Sequence, residues 1–176
     1  RTIMKKNNVM KTCITAVFIA LTYIMTAFIQ IPIPLGYANL GDSMILLACF
    51  MFGPWVGCIA GGAGASLADV LTGYPIWAPS TIIIKVIIAL IACGIFSLRK
   101  DGVKLYSVQT FIGSIVSMLF MAFGYTVAGA ILYGSIASGL ASTPGLLAEG
   151  VINIIVFYGI MSVLEKAGIR KLTDSI

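Results

Sequence analysis

Residues 42–71 read DSMILLACFMFGPWVGCIAGGAGASLADVL, an apolar stretch charged only at Asp42 and Asp69 and broken once, at Gly53-Pro54. A membrane-spanning helix needs about 20 apolar residues, so this stretch is either one bent span or two short ones. Proline lacks the backbone donor that helix continuation needs, and a preceding glycine marks a turn. The loops on either side decide between the two. Short cytoplasmic loops collect Lys and Arg, whereas outer loops do not. Two helices divided at Gly53-Pro54 place the basic N-terminus (Arg1, Lys5, Lys6, Lys11), the turn at 53–55, the basic 99–104 connection (Arg99, Lys100, Asp101, Lys104) and the C-terminal Lys166, Arg170 and Lys171 on one side. The uncharged loops 32–41, 72–80 and 135–145 then share the other side. One bent helix would put two basic segments on opposite faces. The sequence therefore predicts an all-α integral membrane protein: six transmembrane helices in one domain over residues 1–176, with both termini cytoplasmic. The spans are expected at about 10–31, 40–53, 55–72, 80–98, 106–134 and 144–165.

Composition agrees. Of 176 residues, 60% are apolar and 10% charged, and the mean hydropathy is +1.07. Soluble domains carry roughly 25% charged residues, which excludes a water-soluble monomer. Residues 12–31 (TCITAVFIALTYIMTAFIQI) carry no charge and are too long for a signal peptide, with no small-x-small cleavage pattern. They read as a retained span, with Met4 as the expected native start. Histidine is absent, which removes the usual general base and metal ligand and every Ser/His or Cys/His pair. Cys13, Cys49, Cys58 and Cys93 lie in apolar runs without CxxC spacing and read as packing residues. The net charge of +5 is not interleaved with aromatics on one surface, so no nucleic-acid partner is expected.

Four ionisable residues fall within or at the edges of the spans: Asp42, Asp69, Lys85 and Glu149. Intramembrane charge costs on the order of 3 kcal/mol, so such residues face protein or water and are functional candidates by default. The topology sends all four to the outer half. Each also has a structural reading. Asn39 and Asp42 suit a helix N-cap and its first turn. Asp69 would either sit at the membrane surface or pair with Lys85, and Glu149 would follow an N-cap and N1 pair at Thr143-Pro144. Tyr74 and Trp77 lie in an outer loop, Tyr125 on the fifth span, and Asn153 one turn beyond Glu149. Tyr37 reads as a membrane-interface anchor. Prolines 32, 34, 75 and 79 stiffen the outer loops as a lid over a site would require, and an aromatic-walled pocket with a few polar groups suits a small planar solute.

The first span repeats small residues at Thr12, Ala16 and Ala20, and the third at Gly57 and Gly61 and at Ala60, Gly64 and Ala68. Four-residue spacing sets them on one face, against which another helix can approach closely. Internal packing suits the third span; on the first, a partner is the competing reading. No GxxxxGK[ST] loop occurs, so ATP hydrolysis is not expected in this chain. Paired broken helices in duplicated halves, the pattern of many secondary transporters, are not evident.

The stretch NLGDSMILLACFMFGPWVGCIAGGAGASLADVLTGYPIWAPSTIIIKVIIALI (39–91), with Ala16-x-x-x-Ala20, resembles the substrate-binding S component of energy-coupling factor (ECF) transporters. Its LGD, FGP, GG-x-G-x-x-x-AD and WAP-x-x-x-IIK pieces carry the likeness. Within that group it is most similar to the HmpT branch, associated with hydroxymethylpyrimidine or pyridoxine. The resemblance implies a multi-pass protein of the bacterial cell membrane that binds a vitamin near the outer face. It also implies partnership with an EcfT-type coupling protein and two EcfA-type ATPases, which would use ATP and Mg; no cofactor is expected in this chain. Ala16 and Ala20 correspond to the face that packs on the coupling protein. The expected substrate-binding set is Asn39, Asp42, Asp69, Tyr74, Trp77, Lys85, Tyr125, Glu149 and Asn153. Lys85 facing a phenolate would favour pyridoxine. The competing readings are a self-sufficient secondary transporter or channel, an S component for another vitamin such as riboflavin or thiamine, and a membrane enzyme, which the lack of histidine and of clustered acids disfavours.

Overall fold

The computed structural model describes residues 2–98 and 104–168, with side chains from Asn8 onward. The expected cytoplasmic charges of Arg1, Lys5, Lys6, Arg99, Lys100, Asp101, Arg170 and Lys171 lie outside the described residues or side chains. Six α-helices form the body: α1 (Thr2–Ala27), α2 (Gly41–Phe52), α3 (Pro54–Leu71), α4 (Ala78–Phe96), α5 (Val108–Leu132) and α6 (Ile136–Lys166). An antiparallel hairpin of β1 (Ile31–Ile33) and β2 (Gly36–Ala38) joins α1 to α2, and a single 3-10 turn (Pro75–Trp77) precedes α4.

The break at Gly53-Pro54 divides two helices as the loop charges require. Cys49 accepts the last amide of α2 from Gly53, which turns at φ 82°, and Pro54 opens α3 where its missing donor costs nothing. The two helices are unequal. At 12 residues α2 is about 18 Å long, short of the hydrocarbon thickness of about 30 Å. The other five helices are long and apolar enough to cross a membrane. Residues Gly41 to Phe50 of α2 are all buried, because α1, α3, α4 and α6 pack around it. Consecutive contacts α1 to α3, α3 to α4, α4 to α5 and α5 to α6 make the outer arc. Apolar side chains such as Ile83, Phe111, Phe123, Ile131 and Ile155 point outward, as a lipid solvent permits.

Small residues set the tightest approach. Ala60, Gly64 and Ala68 of α3 are buried, and a Cβ on Gly64 would lie 2.7 Å from the Ile19 carbonyl oxygen and 2.8 Å from Thr22 Cβ. The small-residue face of α3 is therefore spent on α1. Gly64→Val is expected to cost about 1–3 kcal/mol by forcing α1 away, read as a lower unfolding midpoint in detergent.

The core is graded along the bundle axis. Toward one end Phe50, Phe96 and Phe157 meet with centroids 5.9–6.4 Å apart, a buried aromatic plug. Toward the hairpin end the interior turns polar. Lys11, Lys104 and Lys166 belong to the plug end, so the positive-inside rule makes the hairpin end the outer one.

Two expectations are corrected. Segment 32–41 is not a plain loop: Pro32 faces Tyr37 and Ile33 faces Gly36 across the hairpin. The last helix begins at Ile136, capped by the Ser135 hydroxyl, and Pro144 lies inside it; Thr143-Pro144 is not the start. The 135–145 segment is helical because its small residues find a surface. Gly139 lies against the α5 backbone at Thr126 and Ala130, and the Thr126 and Thr143 hydroxyls meet at 2.9 Å. Pro144 forfeits only one helical hydrogen bond.

Candidate functional site

A small cavity of about 50 Å³ lies beneath the hairpin, lined by Ile33, Leu35, Gly36, Tyr37, Asn39, Asp69, Tyr74, Trp77, Thr81, Tyr125, Ser142, Leu146 and Glu149. Six of the nine residues expected to bind substrate line it: Asn39, Asp69, Tyr74, Trp77, Tyr125 and Glu149. Asp42, Lys85 and Asn153 do not; they are buried beside this wall and brace it.

Lys85 Nζ lies 2.6 Å from Asp42 Oδ1 and 5.1 Å from the centre of the Tyr125 ring. Neither structural reading of Asp69 holds: it is buried rather than at the surface, and Lys85 bridges to Asp42 instead. Asp42 sits in the first turn of α2, where the helix N-terminus also favours a negative charge. Asp69 takes two neutral donors instead, the Tyr37 hydroxyl at 2.6 Å and the Thr81 hydroxyl. Tyr125 donates to Thr81 Oγ1 at 3.2 Å, so β2, α3, α4 and α5 are tied through one chain of hydroxyls.

The start of α2 shows why Asn153 is buried. Its N-cap position is Leu40, which has no side-chain acceptor, so the first amides need acceptors from elsewhere. Asn39 Oδ1 accepts from Gly41 N–H at 2.9 Å, and Asn153 Oδ1 accepts from Ser43 N–H at 2.7 Å. The Asn153 amide also donates to the carbonyls of Asn39 and Glu149. Every polar atom of Asn153 is thus used in joining α6 to α2. Glu149 Oε1 accepts the Asn39 amide at 3.1 Å, while Oε2 has no hydrogen-bond partner among the described residues.

Aromatic rings form the walls. Trp77 and Tyr125 have centroids 5.9 Å apart, and Tyr37 and Tyr74 5.0 Å. The Trp77 indole N–H is buried without a hydrogen-bond partner among the described residues, on a side chain that lines the cavity.

The hairpin forms the roof, held by the Leu35 amide donating to Ser142 Oγ (3.1 Å) and by the Tyr37–Asp69 bond. Tyr37 is therefore more than an interface anchor. Burial, then the Asp69 charge, push its phenol well above the ordinary value. The raised value means this contribution is complete below the ordinary phenol pKa of about 10 and is lost only in strongly alkaline solution. Tyr37→Phe removes a hydrogen bond to a charged group and is expected to speed amide exchange across 31–38 by about tenfold, read by mass spectrometry at neutral pH.

Three lining residues missing from the expected set had a sequence signal. Thr81 lies midway between Trp77 and Lys85 at four-residue spacing, and Ser142, Leu146, Glu149 and Asn153 repeat at helical spacing. Reading 135–145 as a loop hid the second row. The hairpin residues Ile33, Leu35 and Gly36 had no comparable signal.

The second site concerns α1. Ala16 and Ala20 are exposed, and Ala16 opens on a broad groove that also includes Lys11, Thr12, Phe52 and Trp55. This surface lies toward the plug end, away from the cavity.

Comparison with known proteins gives three matches. The family described as "ECF-type riboflavin transporter, S component" matches residues 6–166. A Pyrococcus woesei protein described as "Uncharacterized protein in gap 3'region" is 37% identical over 145 residues, 81% of this chain and 93% of that protein. The thiamine precursor transporter HmpT of Lactococcus lactis subsp. cremoris (strain MG1363) is 26% identical over 170 residues, 95% of each chain.

Proposed function

The chain belongs to the ECF-type riboflavin transporter S component family, and from this premise we propose that its roofed cavity captures a single-ring vitamin or vitamin precursor from the outer side. As a multi-pass membrane S component it is a transport subunit and not an enzyme. The proposal extends to the ligand, pyridoxine or hydroxymethylpyrimidine, and to the partners. An EcfT-type coupling protein would bind the Ala16 and Ala20 face, and two EcfA-type ATPases would use ATP and Mg to drive release inside.

The observation that carries the reading is a cavity that combines aromatic walls with the acids Asp69 and Glu149 and the unpartnered Trp77 indole N–H under one roof. Rings supply stacking surface, while Glu149, Asn39 and Trp77 offer polar contacts that orient a heterocycle. Pockets for drug-sized ligands run to roughly 300–1,000 Å³, against about 50 Å³ here. A vitamin therefore requires the cavity to enlarge, and a one-ring compound requires less enlargement than the three-ring riboflavin. The HmpT relative, named for a thiamine precursor, supports the smaller class. Lys85 supports pyridoxine less than its charge alone suggests, since Asp42 already occupies it.

The test is fluorescence titration of the purified chain with pyridoxine, hydroxymethylpyrimidine and riboflavin, followed by liposome uptake with and without the partner subunits and ATP. Binding by the isolated chain, with uptake only in the complete system, is expected. Robust uptake by the chain alone would replace this reading with a self-sufficient transporter.

A further inference from the structure

The buried charges of the outer half do not balance. Among the described residues the buried charged side chains are Asp42, Asp69, Lys85 and Glu149, three carboxylates against one ammonium. Lys85 is committed to Asp42 at 2.6 Å. Asp69, on α3, is held by the hydroxyls of Tyr37 on β2 and Thr81 on α4. Glu149, on α6, receives one backbone amide on Oε1 and leaves Oε2 unpaired on the cavity wall. Glu149 as a whole is 3% exposed, and an acid buried that deeply is costly to ionise until a partner meets it. The excess is not spread evenly, because both unneutralised acids line the cavity and the neutralised one does not.

A second observation points independently to an occupant. Trp77 is 8% exposed, lines the same cavity, and its indole N–H lacks a hydrogen-bond partner among the described residues. The cavity thus presents acid side chains with no cationic partner among the described residues, beside an indole donor, on walls formed by Trp77, Tyr74, Tyr37 and Tyr125. Such ring faces attract cations, and one face of Tyr125 already carries the Lys85 ammonium.

We infer that the cavity selects its ligand in the cationic form: a positively charged nitrogen heterocycle whose charge is met by Glu149 and whose hydroxyl oxygen accepts from Trp77. This rests on the cavity being the ligand site proposed above and adds the charge state. A basic ring nitrogen would bind protonated, so a neutral ring of the same shape is discriminated against without any steric filter.

Two isosteric probes isolate the charge: 3-(hydroxymethyl)-1-methylpyridinium, permanently cationic, and 3-methylbenzyl alcohol, neutral. In calorimetric titrations of the full chain in detergent the cation is expected to bind about tenfold tighter. Glu149→Gln is expected to abolish the preference, bringing the affinity ratio of the cation to the neutral probe from about tenfold to about one. Equal or tighter binding of the neutral probe to the unaltered protein overturns the inference, a comparison that needs no variant to fold. A cation preference that survives Glu149→Gln overturns the role given to that residue. Cation preference without binding of pyridoxine or hydroxymethylpyrimidine would sink the vitamin reading and leave the charge selection standing. Binding of either vitamin beside a neutral preference would do the reverse.

Discussion

Lys85→Met is expected to destabilise the folded bundle by about 3–5 kcal/mol, the cost of leaving a buried carboxylate without its counter-ion. Lys85 is 1% and Asp42 0% exposed, their contact is 2.6 Å at Oδ1, and Asp42 Oδ2 has no hydrogen-bond partner among the described residues. Nothing nearby can take over. Glu149 and Asp69 are acids, and Asp42 lies on the helix that the rest of the bundle encloses. Methionine fills much of the lysine volume, so the expected loss is electrostatic and not a cavity effect. Adding Asp42→Asn to Lys85→Met should recover most of the stability, because a neutral polar pair costs far less to bury than one orphaned charge. Unfolding midpoints of the two single variants and the double variant in detergent check this. Strictly additive losses would show that the two side chains act independently and that the ion pair is not what holds α4 to α2.

The same pair shows what the sequence could and could not disclose. That Lys85 must be buried and partnered followed from an ammonium in an apolar run, and its depth followed from the topology. Which acid it meets did not, since Asp42 and Asp69 both lie in the outer half, and the choice depends on how α2 and α3 rotate against α4. The division at Gly53-Pro54 was legible because loop charges and backbone chemistry agreed there. The start of α6 was not, because Pro144 and a run of Gly, Ser and Ala resemble a loop until α5 supplies a surface for them to pack on. The hairpin escaped notice for a related reason: three-residue strands carry no periodicity, and their pairing is fixed by Leu35, Tyr37 and Leu40 meeting Ser142, Asp69 and Met25. Those contacts join positions far apart in the chain. Side chains that satisfied an excluded charge were therefore easier to identify than backbone that merely covers them.

Ala16→Trp and Ala20→Trp should separate capture from transport. Both alanines are exposed on α1, and α1 meets α3 through a different face, where Gly64 lies against Ile19 and Thr22. A large side chain at 16 or 20 therefore leaves the internal contact intact, and the cavity at the opposite end of the bundle should keep its ligand affinity. The cost falls on whatever helix approaches the small face. Close packing against small residues tolerates little added volume, and overpacking of about 2 kcal/mol is roughly thirtyfold in an association constant. Ligand binding by the isolated variants should match the parent chain, whereas co-purification with the coupling protein and ATP-dependent uptake in liposomes should fall by about that factor. Groove residues reinforce the expectation: Thr12 and Ala16 lie beside Phe52 and Trp55, so an approaching helix would meet apolar surface on both sides of the stripe. If uptake persisted with both tryptophans in place, the coupling contact would have to lie elsewhere, and the small residues of α1 would be left facing lipid.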